Sequence, residues 1–254
     1  MSLVSFVYTL FFLLPLFRGL VVSAHRSPLT PYGYFVTGTD TGVGKTLVAC
    51  CLLRAFAARG LKAVGMKPVA SGAIARANGL VHDDVERLMA AGNVTAPREL
   101  VNPYCFAPPI APHIAATEIG MKIDLDYIGR CFSALTEQAD VVIVEGVGGF
   151  RVPLGPGADT AQLAARLALP VVLVVGVRLG CLNHALLTAE AIAGRRLALA
   201  GWVANHVDPR MTAADENVRA LETLITAPLL ARIAFTATPQ SAVSAALLDT
   251  RKLL

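Results

Sequence analysis

The chain has 254 residues, of which 55% are apolar and only 16% charged, and its net charge is +4. That length holds one large domain or two small ones, and a mild charge with no Lys/Arg block argues against a nucleic-acid footprint. Five cysteines (Cys50, Cys51, Cys105, Cys131 and Cys181) make no CxxC pair and no zinc spacing, so they read as free thiols of a reducing, cytoplasmic compartment.

Taken in chain order, the first unusual stretch is LVSFVYTLFFLLPLF, residues 3–17, with Arg18 after it. A signal peptide carries basic residues before its apolar core, and none precedes this one. A membrane span needs about twenty apolar residues without a central breaker such as Pro15. We read residues 1–30 as an extension outside the fold, arising from a start placed too early, and do not expect membrane association. A weak anchor or signal, or a folded element, are the alternatives. Pro28, Pro31 and Gly33 punctuate a linker, and residues 31–254 read as a single domain.

From there strands and helices alternate. Residues 34–37 read as a short buried strand and residues 45–59 as a helix closed by Gly60. Residues 63–67 form a second strand, stopped by Pro68. HDDVERLMAAG begins with acidic residues suited to a helix N-terminus and ends in Gly92. LDYIGRCFSALTEQA has helical spacing. The runs VVIVEG, PVVLVVGV and LALAGWVAN are strands, with a helical segment after each of the first two. A last helix over about 213–225 leads to a final strand, APLLARIAF. Nearly all-apolar strands separated by helices predict an α/β fold in three layers, with a mainly parallel central sheet flanked by helices. Ligands of such sheets sit at the carboxyl ends of the strands.

The stretch FVTGTDTGVGKT lies at one such end. Glycines that permit a tight turn, followed by a helix N-terminus, aim backbone N–H groups at an anion. Gly38, Gly42 and Gly44 permit the turn; Lys45 reaches the β- and γ-phosphates, and the Thr46 hydroxyl serves Mg²⁺. Five residues rather than four separate Gly38 from Gly44-Lys45, and Thr39 fills a usual glycine place, so this is a variant of the phosphate loop of P-loop NTPases. Further oxygen ligands for Mg²⁺ are sought among Asp83, Asp84 and Glu145. Glu145 ends an apolar strand, where a carboxylate needs a cation, whereas either aspartate could simply cap a helix. GVGG, after Glu145, offers a second flexible turn near the phosphates.

Together with this loop, GMKPVASG, VNPYCFAPPIAPHIAA, VEGVGGF, VVGVRLGCLNHALLT, GWVANHV and APLLARI resemble the dethiobiotin synthetase family over residues 33–254. KPVASG and RLGCLNHALLT are the most specific pieces, since the phosphate loop is shared with P-loop amidoligases and partitioning ATPases. The resemblance implies a Mg²⁺-dependent cyclo-ligase acting on 7,8-diaminononanoate, CO₂ and ATP. One amine takes up CO₂ as a carbamate, the carbamate attacks the γ-phosphate, and the second amine closes the ureido ring.

The same resemblance implies catalytic roles for Lys67, Lys45 and Thr41, and Mg²⁺ ligation by Thr46, Asp84 and Glu145 rather than Asp83. It implies ATP contacts from Gly42, Val43, Gly44, Lys45, Thr46, Leu47, Asp84, Glu145, Gly146, Val147, Gly148, Asn205, His206, Ala234 and Phe235. Asn205 matches the family's adenine-reading asparagine. Ser71, Gly180, Cys181 and Asn183 would hold the diamine. The last three open a helix whose free N–H groups suit a carboxylate, supplied in this family across a homodimer. Trp202 and Phe235, taken alone, read as core residues, and His113 as structural. Three positions depart from the pattern: Gly42, where some members carry an acidic residue; Ala234, where proline is frequent; and the neighbourhood of Asn217, which lacks a tyrosine.

Two other readings keep the fold and change the class. A partitioning-type ATPase switch carries a lysine where this chain has Asp40. A cofactor amidoligase adds a glutamine-hydrolysing domain, for which the chain ends too early.

Overall fold

Six parallel strands form the central sheet of this computed structural model, which describes residues 33–236 and 248–253. The predicted N-terminal extension lies outside the described residues. In chain order the sheet strands are β1 (Gly33–Gly38), β2 (Ala63–Met66), β7 (Val141–Glu145), β10 (Val171–Val177), β11 (Leu199–His206) and β12 (Leu229–Ile233). They lie side by side as β12-β11-β10-β1-β7-β2, and every pairing is parallel. All six fall on the apolar runs read as strands. The chain steps from β1 outward to β2, returns to β7, then crosses β1 to β10. That reversal opens a crevice at the carboxyl ends of the strands around β1.

Helices cover both faces, which is why the strands are apolar throughout rather than alternating. Side chains alternate across the sheet with period two. On β7, Val141 and Ile143 pack with Val48, Leu52 and Phe56 of α1 (Lys45–Ala57), while Val142 and Val144 face Ile128 and Leu135 of α5 (Leu125–Thr136). On β10, Leu173, Val175 and Val177 join Trp202 in a third cluster. α7 (Cys181–Gly194) and α8 (Ala214–Leu224) close it. Trp202 is fully buried, as expected of a core residue.

The alternating pattern omits several small elements. β3 (Val69–Ser71) pairs with β6 (Tyr104–Phe106). β4 (Ile74–Arg76) and β5 (Gly79–Val81) make a largely exposed hairpin, and β8 (Pro153–Gly155) pairs with β9 (Ala158–Asp159). Two short helices, α3 (Arg98–Val101) and α4 (Pro112–Glu118), flank β6. The expected helices otherwise stand within a few residues: α2 is Asp83–Ala91, and α6 is Thr160–Leu167, opened by a capping box from Asp159 and Gln162. The final strand is shorter than the run APLLARIAF, and Phe235 beyond it is 46% exposed, not a core residue. Among the described residues no helix is long and apolar enough to cross a membrane.

The described C-terminal residues close the end of the sheet opposite the crevice. Leu248 and Leu253 are buried among Tyr34, Phe56 and Leu230. The Tyr34 hydroxyl donates to the Leu253 carbonyl, and burial pushes its pKa up to about 12, so it remains a donor.

Candidate functional site

The register of the sheet builds the site. In β2 and β7, Met66 pairs with Val144, so the next residues along, Lys67 just past β2 and Glu145 at the end of β7, stand side by side at the carboxyl end of the sheet. Lys67 Nζ lies 2.6 Å from Glu145 Oε1 and 2.9 Å from Asp84 Oδ2. Lys67 is 3% exposed and Glu145 1%. Burial by itself would lower the Lys67 pKa, but the two carboxylates outweigh it and hold the pKa above the ordinary lysine value. Burial likewise opposes ionisation of Asp84, yet Lys67 and the Thr46 hydroxyl bring its pKa below the usual carboxylate range. The group is therefore an ammonium between two carboxylates.

β1 feeds the glycine loop into the same space. Gly42 and Gly44 have φ of 74° and 93°, the left-handed region that favours glycine. Gly44 has a second reason: a Cβ there would stand 2.3 Å from Asn205 Nδ2. That amide donates to the Val43 carbonyl at 2.8 Å, so Asn205, at the end of β11, holds the loop from below. The turn delivers Lys45 as the first residue of α1, where helix N–H groups lack intrahelical acceptors. Lys45 Nζ donates to the Asp40 carbonyl at 3.0 Å. Burial first, and Lys67 second, lower its pKa to about 8. Thr46 Oγ1 donates to Glu145 Oε1 at 2.9 Å.

One cavity of about 370 Å³ gathers most of the predicted residues: Thr41, Gly42, Gly44, Lys45, Thr46, Leu47, Lys67, Ser71, Asp84, Glu145, Val147 and Gly148. Gly146 does not line it, but its carbonyl lies 3.5 Å from Lys67 Nζ. Val43 is buried beneath the loop. Two buried oxygens, Ser71 Oγ and Glu145 Oε2, have no hydrogen-bond partner among the described residues. Such orphans are costly, and both belong to residues of this cavity. Asp83, by contrast, does not line it, and Asp84 does.

The carboxylates of Asp84 and Glu145 converge on one ammonium, the Thr46 hydroxyl donates to Glu145, and Glu145 keeps a free buried oxygen. That donor set fits Mg²⁺, which takes one or two protein carboxylates together with substrate phosphates. Among the described residues no group of three or more His, Cys, Asp or Glu would hold a metal without such help.

The remaining predicted residues lie outside this cavity. His206 ends β11 beside Asn205, and Ala234 and Phe235 follow β12. Gly180, Cys181 and Asn183 open α7. Here one expectation is corrected: the Cys181 N–H is not free, because it donates to the Arg178 carbonyl at 3.0 Å. The open donors of that turn begin one residue later, since only the first N–H is satisfied by the tight turn.

Two cavity residues, His82 and Arg87, were not foreseen from the sequence. Nor was a pair outside the cavity lining, Arg178 with Asp40 of the glycine loop at 2.5 Å, which joins that loop to the turn before α7. His82 left no signal because its role depends on a contact with Ser71, eleven residues away. Arg87 had a weak signal: it stands one helical turn after Asp84, on the same face.

A family model described as an AAA domain matches residues 32–239. Three relatives carry the name ATP-dependent dethiobiotin synthetase BioD. That of Aromatoleum aromaticum is 57% identical over 79% of this chain and 89% of its own length. The relative in Nitrosospira multiformis is 52% identical over 87% of this chain and 96% of its own. For Janthinobacterium sp. the figures are 52%, 86% and 94%. Among solved structures, the signal recognition particle receptor FtsY of Elizabethkingia anophelis aligns at a TM-score of 0.46 and 20% identity, over 91% of this chain and 66% of that one.

Proposed function

The chain belongs to the ATP-dependent dethiobiotin synthetase family, and from that premise we propose how its residues close a ureido ring on 7,8-diaminononanoate with CO₂ and ATP. The observation that carries the reading is the buried Lys67 ammonium between Glu145 and Asp84, facing the phosphate loop.

The reaction is phosphoryl transfer to a carbamate, followed by displacement of phosphate by an amine. Both steps move negative charge, and neither needs strong acid–base help, so positioning and fixed charge supply most of the catalysis. One amine adds to CO₂ and loses a proton, giving the carbamate. Its oxygen attacks the γ-phosphorus as the bond to ADP breaks. The second amine then attacks the carbamoyl carbon, phosphate leaves, and that amine gives up a proton to the departing phosphate or to water as the ring closes.

Lys45 and the N–H groups of Gly42, Val43 and Gly44 hold the β- and γ-phosphates. Lys67 stands beside the carbamate and the phosphoryl in transfer, where its charge is retained by its carboxylate partners. Thr41 and the unpartnered Ser71 hydroxyl orient the carbamate and the diamine. Thr46, Asp84 and Glu145 would hold Mg²⁺, which supplies charge neutralisation of the phosphates. The turn at Gly146, Val147 and Gly148 flanks the phosphates. Leu47, Asn205, His206, Ala234 and Phe235 lie on the nucleoside side; Asn205 keeps one amide hydrogen and its carbonyl oxygen for adenine.

The diamine's carboxylate is read at the start of α7 of a second copy, at Gly180 and Asn183, since the Cys181 N–H is committed to the Arg178 carbonyl. Support comes from α7, apolar on several faces: Leu179 before it is 92% exposed and Leu187 on it 56%. A homodimer covers such a face. A sedimentation mass of a single chain at micromolar concentration would remove that part of the reading.

The function is tested with purified protein, Mg·ATP, bicarbonate and 7,8-diaminononanoate, with dethiobiotin followed by mass spectrometry. The expected result is product that vanishes when any one component is omitted. Tight ATP binding with no product under these conditions overturns the assignment.

A further inference from the structure

We propose that His82 is a positioning residue of this site, holding Ser71 with one ring nitrogen and Asp84 with the other. The inference rests on the reading above, because it assigns a task to two residues of that cavity. Its basis is the hydrogen bonding of the ring. The Asp84 backbone N–H donates to His82 Nδ1 at 3.2 Å. A backbone N–H can only donate, so Nδ1 carries no hydrogen. The ring hydrogen is then on Nε2, which donates to the Ser71 carbonyl at 3.1 Å. Both nitrogens of the neutral ring are used, each in the only sense its partner allows.

The two partners are the reason this matters. Ser71 ends β3 and His82 follows β5, so the ring closes the base of the β4–β5 hairpin. Ser71 presents the buried, unpartnered hydroxyl described above. On the other side His82 is the N-cap of α2 and fixes the backbone of Asp84, whose carboxylate reaches Lys67. The Asp84 carboxylate itself lies 3.8 Å from Nδ1. Helix N-caps favour Ser, Thr, Asp or Asn, and histidine is not among them. Those short side chains would cap α2 equally well. None of them carries a donor on the far side that also spans to the Ser71 carbonyl. Histidine does both, which accounts for its presence at a cap.

The two bonds separate by substitution. In His82→Asn the amide falls near the position of Nδ1, able to cap Asp84 but too short for Ser71. In His82→Gln it falls near Nε2, able to donate to Ser71 but badly placed to cap. Dethiobiotin formation is measured with the diamine and Mg²⁺ each varied, alongside thermal melting. For His82→Asn the KM for the diamine rises about fivefold or more while half-saturation by Mg²⁺ stays within about twofold, the scale of one lost hydrogen bond. For His82→Gln the pattern reverses. Overturning results are two: both constants within about twofold of wild type in both variants, or both constants moving together with the melting temperature, which is what a plain helix cap gives. Failure of the underlying reading is distinguishable, since wild type then makes no dethiobiotin. Mg²⁺-dependent ADP binding by calorimetry still decides the Asp84 half: His82→Gln weakens it and His82→Asn does not, whereas equal binding by both sinks the proposal.

Discussion

Lys67→Ala lowers dethiobiotin formation by about a thousandfold or more, at the upper end of what a single removed charge-stabilising group costs. The size follows from where the ammonium stands. It is buried and within 3 Å of two carboxylates, Glu145 brought there by the pairing of β2 with β7 and Asp84 by α2, and its charge faces the transferring phosphoryl in the proposed mechanism. The same change stresses the fold. Removing one partner of a buried ion pair costs about 3–5 kcal/mol because the other charge is left uncompensated. Here buried Glu145 is the main liability, since Asp84 reaches solvent and is partly screened. Two carboxylates so close cannot both stay ionised cheaply, so one takes up a proton or a cation. The variant therefore melts lower than wild type, and Mg²⁺ raises its melting temperature more than it raises that of wild type. Added Mg²⁺ restores stability without restoring turnover, because an ion at the carboxylates does not replace an ammonium beside the carbamate. Near-normal product formation by this variant removes Lys67 from the mechanism.

How far the sequence foretold this pair marks what local pattern carries. Every strand of the central sheet was legible, because burial on both faces leaves runs such as residues 141–145 and 171–177 almost free of polar residues. The phosphate loop was legible because its task constrains glycines and a lysine at fixed spacing. Glu145 stood out as a charge at the end of such a run. That it meets Lys67 was not legible from pattern: 78 residues separate them, and only the Met66–Val144 register brings them together. The hairpins β4–β5 and β8–β9 were missed because two or three residues per strand carry no period to read. α7 shows the opposite difficulty. Its residues are apolar on several faces, so helix was readable, but the sequence did not say which face the sheet buries and which it leaves exposed. The N–H of Cys181 was misjudged for a geometric reason, since the Arg178 carbonyl folds back over the helix start.

Lys45→Ala abolishes ATP turnover, and in wild type the charge on Lys45 makes nucleotide binding depend on pH. The lysine is 6% exposed, and its pKa of about 8 stands well below the ordinary 10.5. That difference corresponds to roughly 3 kcal/mol by which the ligand-free site disfavours the charged form. Burial is the main cause and the neighbouring Lys67 charge the second, so bound triphosphate, an anion, reverses the balance and raises the pKa. The sign follows. Below about pH 7 Lys45 is charged with or without nucleotide, and this group contributes no pH dependence. Above about pH 8 the free protein has lost the proton and the complex retains it, so binding takes up a proton. Affinity then falls as pH rises, approaching about tenfold per unit until the pKa of the complex is passed. Calorimetric titration with ATP near pH 8.5, in two buffers of different ionisation enthalpy, reads the uptake directly. A fraction of a proton approaching one is expected for wild type. Lys45→Arg, whose guanidinium stays charged, removes the uptake even if it binds less tightly. Affinity that is flat between pH 7 and 9, with no proton taken up, means that Lys45 keeps its charge in the empty site and that burial does not govern it.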